Sequence, residues 1–550
     1  MITYEVSLES GLSVIVQAGT TAGNILRERG GFAHPLVAAL VDNELKPLGH
    51  PISMDCRLAP VLSNSALGAL VYRRSLCFLL AKASRSVFPK RRLMAGMAIG
   101  AGFYHYYLDG EALDEKDIAA LRRTMLDLVS RSLPIEVLSS PWEEAKAFFA
   151  SRGQMDTLEL IEQVNEPAIL LNCCEDFQDL HVIPLVDSTS LLGVWELRAY
   201  HGGLLLRYPH KDNPQVLEPF EDVPLLYRIS EEYRERGRVL GTGSVGRLNR
   251  LGAEGRIKEF IQVAEALQNR RLASIAEAVA ARGDRVRLVL IAGPSSSGKT
   301  TTSKKLAVQL KVLGLKPIPL ELDDFFVDRA KTPVDAEGKP DFESLQALDI
   351  ELLNAILADL LSGKEVELPR YDFKTGARRW VGSKLRLAEG DMLILEGIHG
   401  LNEALTPLVS TEEKFKIYVS ALTQMNLDDH NRISTTDYRL LRRMVRDNSF
   451  RGHSARSTLA MWPSVQKGER RYIFPFQNSA DEAFNSALDY ELGVLKVFAD
   501  PLLKSIKPDM AEYAEARRIQ AFMEAINPIP AHHVPKDSIL REFIGESDFA

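Results

Sequence analysis

Cysteine is scarce in this chain. Four occur in 550 residues, Cys56, Cys77, Cys173 and Cys174, and none forms a C-x-x-C pair. That argues against a disulfide framework or a zinc ribbon, and the expected state is buried, reduced thiols in a cytoplasmic protein. No apolar run has the length of a membrane-spanning helix, so no membrane partner is expected. The opening residues MITYEVSLES carry no charged-then-apolar signal region. Positive charge is not in excess either. A formal net charge of -7 argues against a generic nucleic-acid binder. Internal repeats and low-complexity segments are missing. What remains is 45% hydrophobic and 26% charged, an ordinary globular balance, in a chain too long for one core. Roughly two to four domains are expected.

The strongest positive signal is Gly293-Pro294-Ser295-Ser296-Ser297-Gly298-Lys299-Thr300, which fits the phosphate-binding pattern G-x-x-x-x-G-K-[ST] at every defined position. A chance match in a chain of this length occurs about once in fifty. Residues 287–292 (RLVLIA) read as a buried strand before it, and the residues from Thr301 onward have helical apolar spacing. In that context backbone N–H groups curl around phosphate oxygens, and the helix N-terminus adds positive potential. Lys299 reaches the outer phosphates, the Thr300 hydroxyl ligates Mg²⁺, and Thr301 completes the ATP-binding segment. The alternative is a glycine turn with a surface lysine.

Further strands are expected at 317–322, 392–395 and 416–419, separated by helical segments. This α/β rhythm implies a mainly parallel, doubly wound sheet whose ligands sit at the C-terminal strand ends. Asp323 and Asp324 end one of these strands and Glu396 ends another. A hydroxyl attacks the γ-phosphorus better if a carboxylate takes its proton, and a second acid can hold the Mg²⁺ water shell. Asp323 is assigned as the catalytic base and Glu396 as the metal-side acid. Asp324 reads as a helix N-cap. Arg439, Arg442, Arg443 and Arg446 form a helical stripe, with Leu440, Leu441, Met444 and Val445 on another face. That stripe is either a solvated basic face or a lid that neutralises transition-state charge, with Arg446 catalytic and Arg442 and Arg443 at the substrate. Asp428, Asp429, His430, Asn431 and Arg432 form a polar cluster with no assigned chemistry.

Upstream, residues 1–60 give strands flanking Glu9-Ser10-Gly11, a short helix capped by a threonine at 20 or 21, and strands at 37–41 and 57–61. This order resembles the β-grasp TGS module of threonyl-tRNA synthetases. Residues 61–215 read as an α+β domain. Leu79-Leu80-Ala81-Lys82-Ala83, Gly102-Phe103-Tyr104 and Phe177-Gln178-Asp179-Leu180 resemble the synthetases' editing domain. The resemblance places that family's H-x-x-x-H and C-x-x-x-H positions at Arg74, Phe78, His181 and Leu185, a set unsuited to a metal or acid–base cluster. Residues 216–285 read as a helical connector, with Gly241-Thr242-Gly243-Ser244-Val245-Gly246 as a flexible turn and a helix over 255–281. The α/β domain spans 286–500, and a helical tail covers 501–550.

The α/β segment resembles the uridine kinase and phosphoribulokinase family. The resemblance rests on Asp323-Asp324-Phe325-Phe326, Tyr371-Asp372-Phe373 followed by Arg378, Leu395-Glu396-Gly397-Ile398, and Arg442-Arg443-Met444-Val445-Arg446-Asp447. It implies ATP and Mg²⁺ as cofactors, and Tyr371, Asp372 and Arg378 as substrate contacts. The expected function is phosphoryl transfer to a hydroxyl acceptor, a nucleoside 5′-hydroxyl first among them. Two departures concern the acceptor. Residues 342–347 (FESLQA) stand where uridine kinases have F-D-H-P-D-A, and Gly376 stands where the family has a base-reading histidine. The alternatives are a kinase for another small alcohol, or an RNA-associated regulator switched by ATP, for which the N-terminal modules would bind a tRNA-like ligand. The N-terminal half also suits oligomerisation or gating of the kinase, as in a homo-oligomer.

Overall fold

The computed structural model describes residues 2–549 apart from 10, 336, 337, 373, 374 and 424. Ser10 of the first turn and Phe373 of the Tyr-Asp-Phe segment therefore lie outside the described residues. The N-terminal module consists of strands Thr3–Leu8 (β1) and Ser13–Gln17 (β2), helix Ala22–Arg29 (α1), and strands Leu36–Val41 (β3), Glu44–Lys46 (β4) and Cys56–Leu62 (β5), in sheet order β2-β1-β5-β3-β4. Thr21 caps α1 through its hydroxyl, which accepts the Asn24 N–H.

The second domain opens with helix Ala66–Val87 (α2). Strands Leu93–Ile99 (β6) and Gly102–Tyr107 (β7), helix Glu115–Ser130 (α3) and strand Glu136–Pro141 (β8) follow. Helices Trp142–Arg152 (α4) and Met155–Ile161 (α5) precede strands Ala168–Cys174 (β9), Phe177–Leu180 (β10), Glu196–Tyr200 (β11) and Gly203–Arg207 (β12). Two antiparallel sheets result, β10-β9-β8 and β11-β12-β7-β6. Helix α2 is almost continuously buried from Ser75 to Ser84 because it runs between α3 and the sheets.

Helices Pro224–Leu240 (α6), Val245–Ala253 (α7) and Ile257–Ala280 (α8) follow. Val245 and Gly246, expected in a loose glycine turn, instead begin α7 and are buried. Ile275 and Val279 of α8 share one core with Val289, Ile291 and Leu306. The segment between the domains is thus an integral layer of the α/β domain.

That domain contains strand Leu288–Ala292 (β13), helix Lys299–Val312 (α9), strand Lys316–Glu321 (β14), helix Ile350–Leu361 (α10), the hairpin Val366–Asp372 (β15) and Ala377–Leu385 (β16), and strands Asp391–Glu396 (β17) and Lys414–Ser420 (β18). Helices Thr435–Phe450 (α11) and Ala455–Tyr472 (α12), strand Glu482–Asn485 (β19) and helix Glu491–Lys504 (α13) complete it. The sheet order is β14-β17-β13-β18-β19, and every pairing is parallel. Both faces are covered. Val289 and Ile291 point into one core, Leu288 and Leu290 into another, which is why β13 is apolar at every position. Strand β19 and the β15–β16 hairpin were not foreseen. The boundary expected at 500 falls inside α13. Beyond it, helices Tyr513–Glu524 (α14) and Arg541–Ile544 (α15) join the same core through Ile519 and Phe543, with Leu540 just before α15. No helix among the described residues is long and apolar enough to cross a membrane.

Candidate functional site

The phosphate loop is tied down by contacts that only glycine permits. A Cβ on Gly293 would lie 1.8 Å from the Val419 carbonyl oxygen of neighbouring β18. Gly298 adopts φ +79°, the left-handed turn that starts α9. Pro294 accepts from Lys299 Nζ at 3.3 Å, which folds the lysine back over the loop. The hydroxyls of Ser296 and Ser297 are buried and lack a protein partner.

Around this loop the carboxylates from the strand ends converge as expected. The Thr300 hydroxyl donates to Glu396 Oε1 at 2.7 Å. Burial pushes the Glu396 carboxyl up to about 7, with Lys299 opposing and Asp323 adding to the shift. Asp323 is also raised, by burial first, while Lys299, Arg451 and Arg446 pull it down. Lys299, Thr300, Asp323, Glu396 and Arg446 are therefore electrostatic neighbours. The hydroxyl and carboxylate oxygens of Thr300 and Glu396 are the hard donors that Mg²⁺ takes alongside phosphate oxygens. A protonated Glu396 must lose its proton to bind the cation. Apparent Mg²⁺ affinity should fall up to about tenfold per pH unit below 7 and level off above it. A Glu396→Gln variant should bind Mg²⁺ more weakly and lose that pH dependence, as read by Mg²⁺ titrations between pH 6 and 8.

Glu343, which the sequence did not single out, joins this group. Its carboxyl is pushed up to about 7 by burial and by Glu469, with Arg443 and Lys299 opposing. It lies in the stretch that departs from the uridine kinase pattern. That departure was its only sequence signal.

The arginine stripe is not a solvated face, because α11 packs into the core and turns Arg439 and Arg443 to the phosphate loop. Leu440, Leu441, Met444 and Val445 are fully buried, so α11 is fixed in the core. Arg439 binds buried Glu469 and donates to the Ser295 carbonyl at 3.0 Å. Arg443 Nη1 donates to Ser295 Oγ at 2.7 Å. Arg446 pairs with Asp447 at 2.8 Å and keeps its charge toward Asp323. Arg442, expected at the substrate, is instead fully buried. It pairs with Glu491 and bonds to the Ser486 carbonyl at 2.9 Å and Ser486 Oγ at 3.1 Å. With no exposure it is a strut beneath the loop and cannot meet an acceptor.

The proposed acceptor-side residues lie on the β15–β16 hairpin, where Tyr371 pairs with Arg378. Asp324 is not a helix cap. Its carboxylate accepts the Tyr371 N–H at 3.1 Å and pairs with Arg370 at 3.2 Å, bracing the hairpin against the end of β14. Arg378 is bound to Asp349 at 2.9 Å and to the Phe326 carbonyl at 3.1 Å. Asp372 pairs with Arg379 at 2.8 Å and accepts the Thr375 N–H. Arg378 and Asp372 are thus engaged in bracing, while the Tyr371 ring packs 5.5 Å from that of Phe326. A Cβ on Gly376 would lie 2.8 Å from Arg329 Nε, and the glycine has φ +68°. An imidazole at 376 would require Arg329 to move.

In the second domain Phe78 and Leu185 are core residues, and His181 bonds to Asn172 Oδ1 at 2.8 Å. Burial lowers His181 to about 4. The Asp428–Arg432 cluster seals this domain onto the α/β domain. Asp429 accepts from the Thr157 N–H at 2.9 Å, and His430 pairs with Asp179 at 3.2 Å. Burial pulls the His430 pKa down, but Asp179, Asp429 and Asp428 outweigh it and raise it to about 9. The folded pKa lies above the unfolded one near 6.5, so this contribution is full below about 6.5 and is lost as pH rises through 9. A His430→Gln variant should lose stability most at pH 6 and least at pH 9, as seen in urea melts across that range.

Residues 288–491 match the sequence model of the Phosphoribulokinase / Uridine kinase family, so this part of the chain is a P-loop kinase domain of that family. The N-terminal region is similar to threonine–tRNA ligases. It is 33% identical over 173 residues to that of Methylococcus capsulatus, covering 31% of this chain and 27% of the ligase. It is 30% identical over 205 residues to that of Syntrophotalea carbinolica, covering 37% and 32%. The chain spans about a quarter to a third of the length of these curated relatives. Among solved structures, one described as a "Possible Uridine Kinase" from Bacillus stearothermophilus aligns at 21% identity and a TM-score of 0.27, over 39% of this chain and 97% of that one. D-glycerate 3-kinase from Cryptococcus neoformans aligns at 17% identity and a TM-score of 0.21, over 46% and 87%.

Proposed function

We propose that the protein transfers the γ-phosphoryl group of Mg·ATP to a hydroxyl of a small molecule, with a nucleoside 5′-hydroxyl as the first candidate acceptor. The observation that carries this reading is the convergence of Lys299, Thr300, Glu396 and Asp323 at the C-terminal ends of β13, β14 and β17. Asp323 takes the acceptor proton as the oxygen bonds to the γ-phosphorus and the bridge to ADP breaks. Lys299 and Arg446 offset charge on the transferred group. Thr300 and Glu396 would hold Mg²⁺, which would supply charge neutralisation for the triphosphate. A panel of nucleosides and small polyols with Mg·ATP, read by mass detection of the phosphomonoester, tests the assignment. ADP release with no nucleoside above background would remove the nucleoside version.

A second acceptor class has a specific observation in its favour. Arg329 Nε lies 2.8 Å from where a Cβ on Gly376 would be, and a guanidinium beside that position suits an acceptor that carries an anionic group. A preference for an acidic small alcohol over every nucleoside would support that class.

A further inference from the structure

Two carboxylates of the chain itself sit on the phosphate loop. Glu469 Oε1 accepts the Ser295 N–H at 3.0 Å and is held there by Arg439. Glu542, in the short C-terminal helix α15, accepts both the Thr301 N–H at 3.1 Å and the Thr301 hydroxyl at 2.8 Å.

Thr301 is the third residue of α9. The first N–H groups of a helix have no acceptor within it, and they are the donors a phosphate uses. Thr302 is the first residue here to bond back, to the Gly298 carbonyl at 3.0 Å. Glu542 therefore holds one of the donors on which nucleotide binding depends. Neighbouring tail residues close over the loop as well. Ile539 Cγ2 lies 2.6 Å from where a Cβ on Gly298 would be, so this part of the tail rests directly on the turn of the loop.

The tail is fastened on both sides of that contact. Lys305 Nζ donates to the Asp537 carbonyl at 2.8 Å, and Lys304 donates to the Phe549 carbonyl. The Phe543 ring is fully buried, with the Arg442 guanidinium 4.8 Å from its centre. The same Arg442 reaches toward the Ser296 carbonyl on the loop. A carboxylate and a phosphate are both oxygen anions seeking the same donors. They cannot share Thr301, and two like charges there would repel.

We propose that the C-terminal segment is an intrasteric gate on the P-loop: Glu542 occupies a phosphate position at Thr301 in the resting protein, and Mg·ATP binds only by expelling it. The proposal rests on reading the P-loop as the triphosphate site. Apparent affinity is then the intrinsic affinity scaled by the fraction of molecules with the gate open.

Calorimetric titration of the full chain with Mg·ATP tests it, using wild type, Glu542→Gln, Glu542→Ala and the control Glu546→Ala. Glu546 lies in the same tail but pairs with Arg541 rather than with the loop. Glu542→Ala should bind Mg·ATP at least tenfold more tightly than wild type. Glu542→Gln should fall between, because it keeps an acceptor and loses the charge. Glu546→Ala should match wild type. Equal, measurable affinity in all four proteins would overturn the gate and leave the kinase reading standing. No binding in any of them would overturn both. Should the Glu542 variants misfold, amide hydrogen exchange on the wild type decides. Saturating Mg·ATP should speed exchange over residues 541–549, and unchanged or slowed exchange would overturn the proposal.

Discussion

Replacing Asp323 by Asn should lower kcat by about 10²-fold or more while leaving Mg·ATP affinity within about twofold. The side chain lies in the turn just past β14 and faces the same space as Lys299 and Glu396, and its pKa responds to Lys299, Arg451 and Arg446. An amide of equal size keeps the packing and removes only the capacity to take a proton. A group that held the substrate without accepting its proton would show its loss in KM instead. The pH profile gives a second readout. Burial raises the Asp323 pKa, so in the wild type the rate rises with pH as this acid ionises, and the Asn variant loses that limb. Turnover retained by Asp323→Asn would remove the base assignment.

The second large effect is on stability. Arg442 and Glu491 have no exposed surface, and Tyr438 also donates to the Glu491 carboxylate, at 2.6 Å. Removing one partner of a buried pair leaves an uncompensated charge in the core, at a cost of about 3–5 kcal/mol. Arg442→Ala should therefore shift the urea midpoint strongly, and Glu491→Ala should do the same. The double change Arg442→Met with Glu491→Leu should recover much of the loss, because it removes both charges and keeps the volume. A loss below about 1 kcal/mol in Arg442→Ala would contradict the strut role and reopen a substrate role for this arginine.

The donor half of the site was legible in the sequence for local reasons. The P-loop compresses strand, turn and helix into consecutive residues. Glu396 ends a strand with a clear apolar run, Asp323 follows a shorter mixed one, and parallel strands bring their C-terminal ends together whatever their separation along the chain. The same reasoning recovered three of the strands beside β13. It missed β19, which is four residues long, and the β15–β16 hairpin, whose β16 is largely exposed and has no apolar alternation. The arginine stripe shows the limit of periodicity. Spacing placed Arg442 and Arg446 on one helical face, but tertiary contacts put Glu491 against the first and leave the second facing Asp323. Glu343, Glu469 and Glu542 could not be found that way. Glu469 and Glu542 reach the loop from distant segments with no motif of their own, Glu343 is linked to Lys299 only through charge, and the tail that carries Glu542 read only as helical.

The measurement closest to the central claim follows the γ-phosphate itself. The full-length protein is incubated with Mg²⁺ and γ-labelled ATP in the presence of a small-molecule cell extract, alongside the Asp323→Asn variant. Label should appear in an organic phosphomonoester with wild type and fall about 10²-fold or more with the variant. Label found only in inorganic phosphate or in RNA, or transfer equal in the two proteins, would contradict the account.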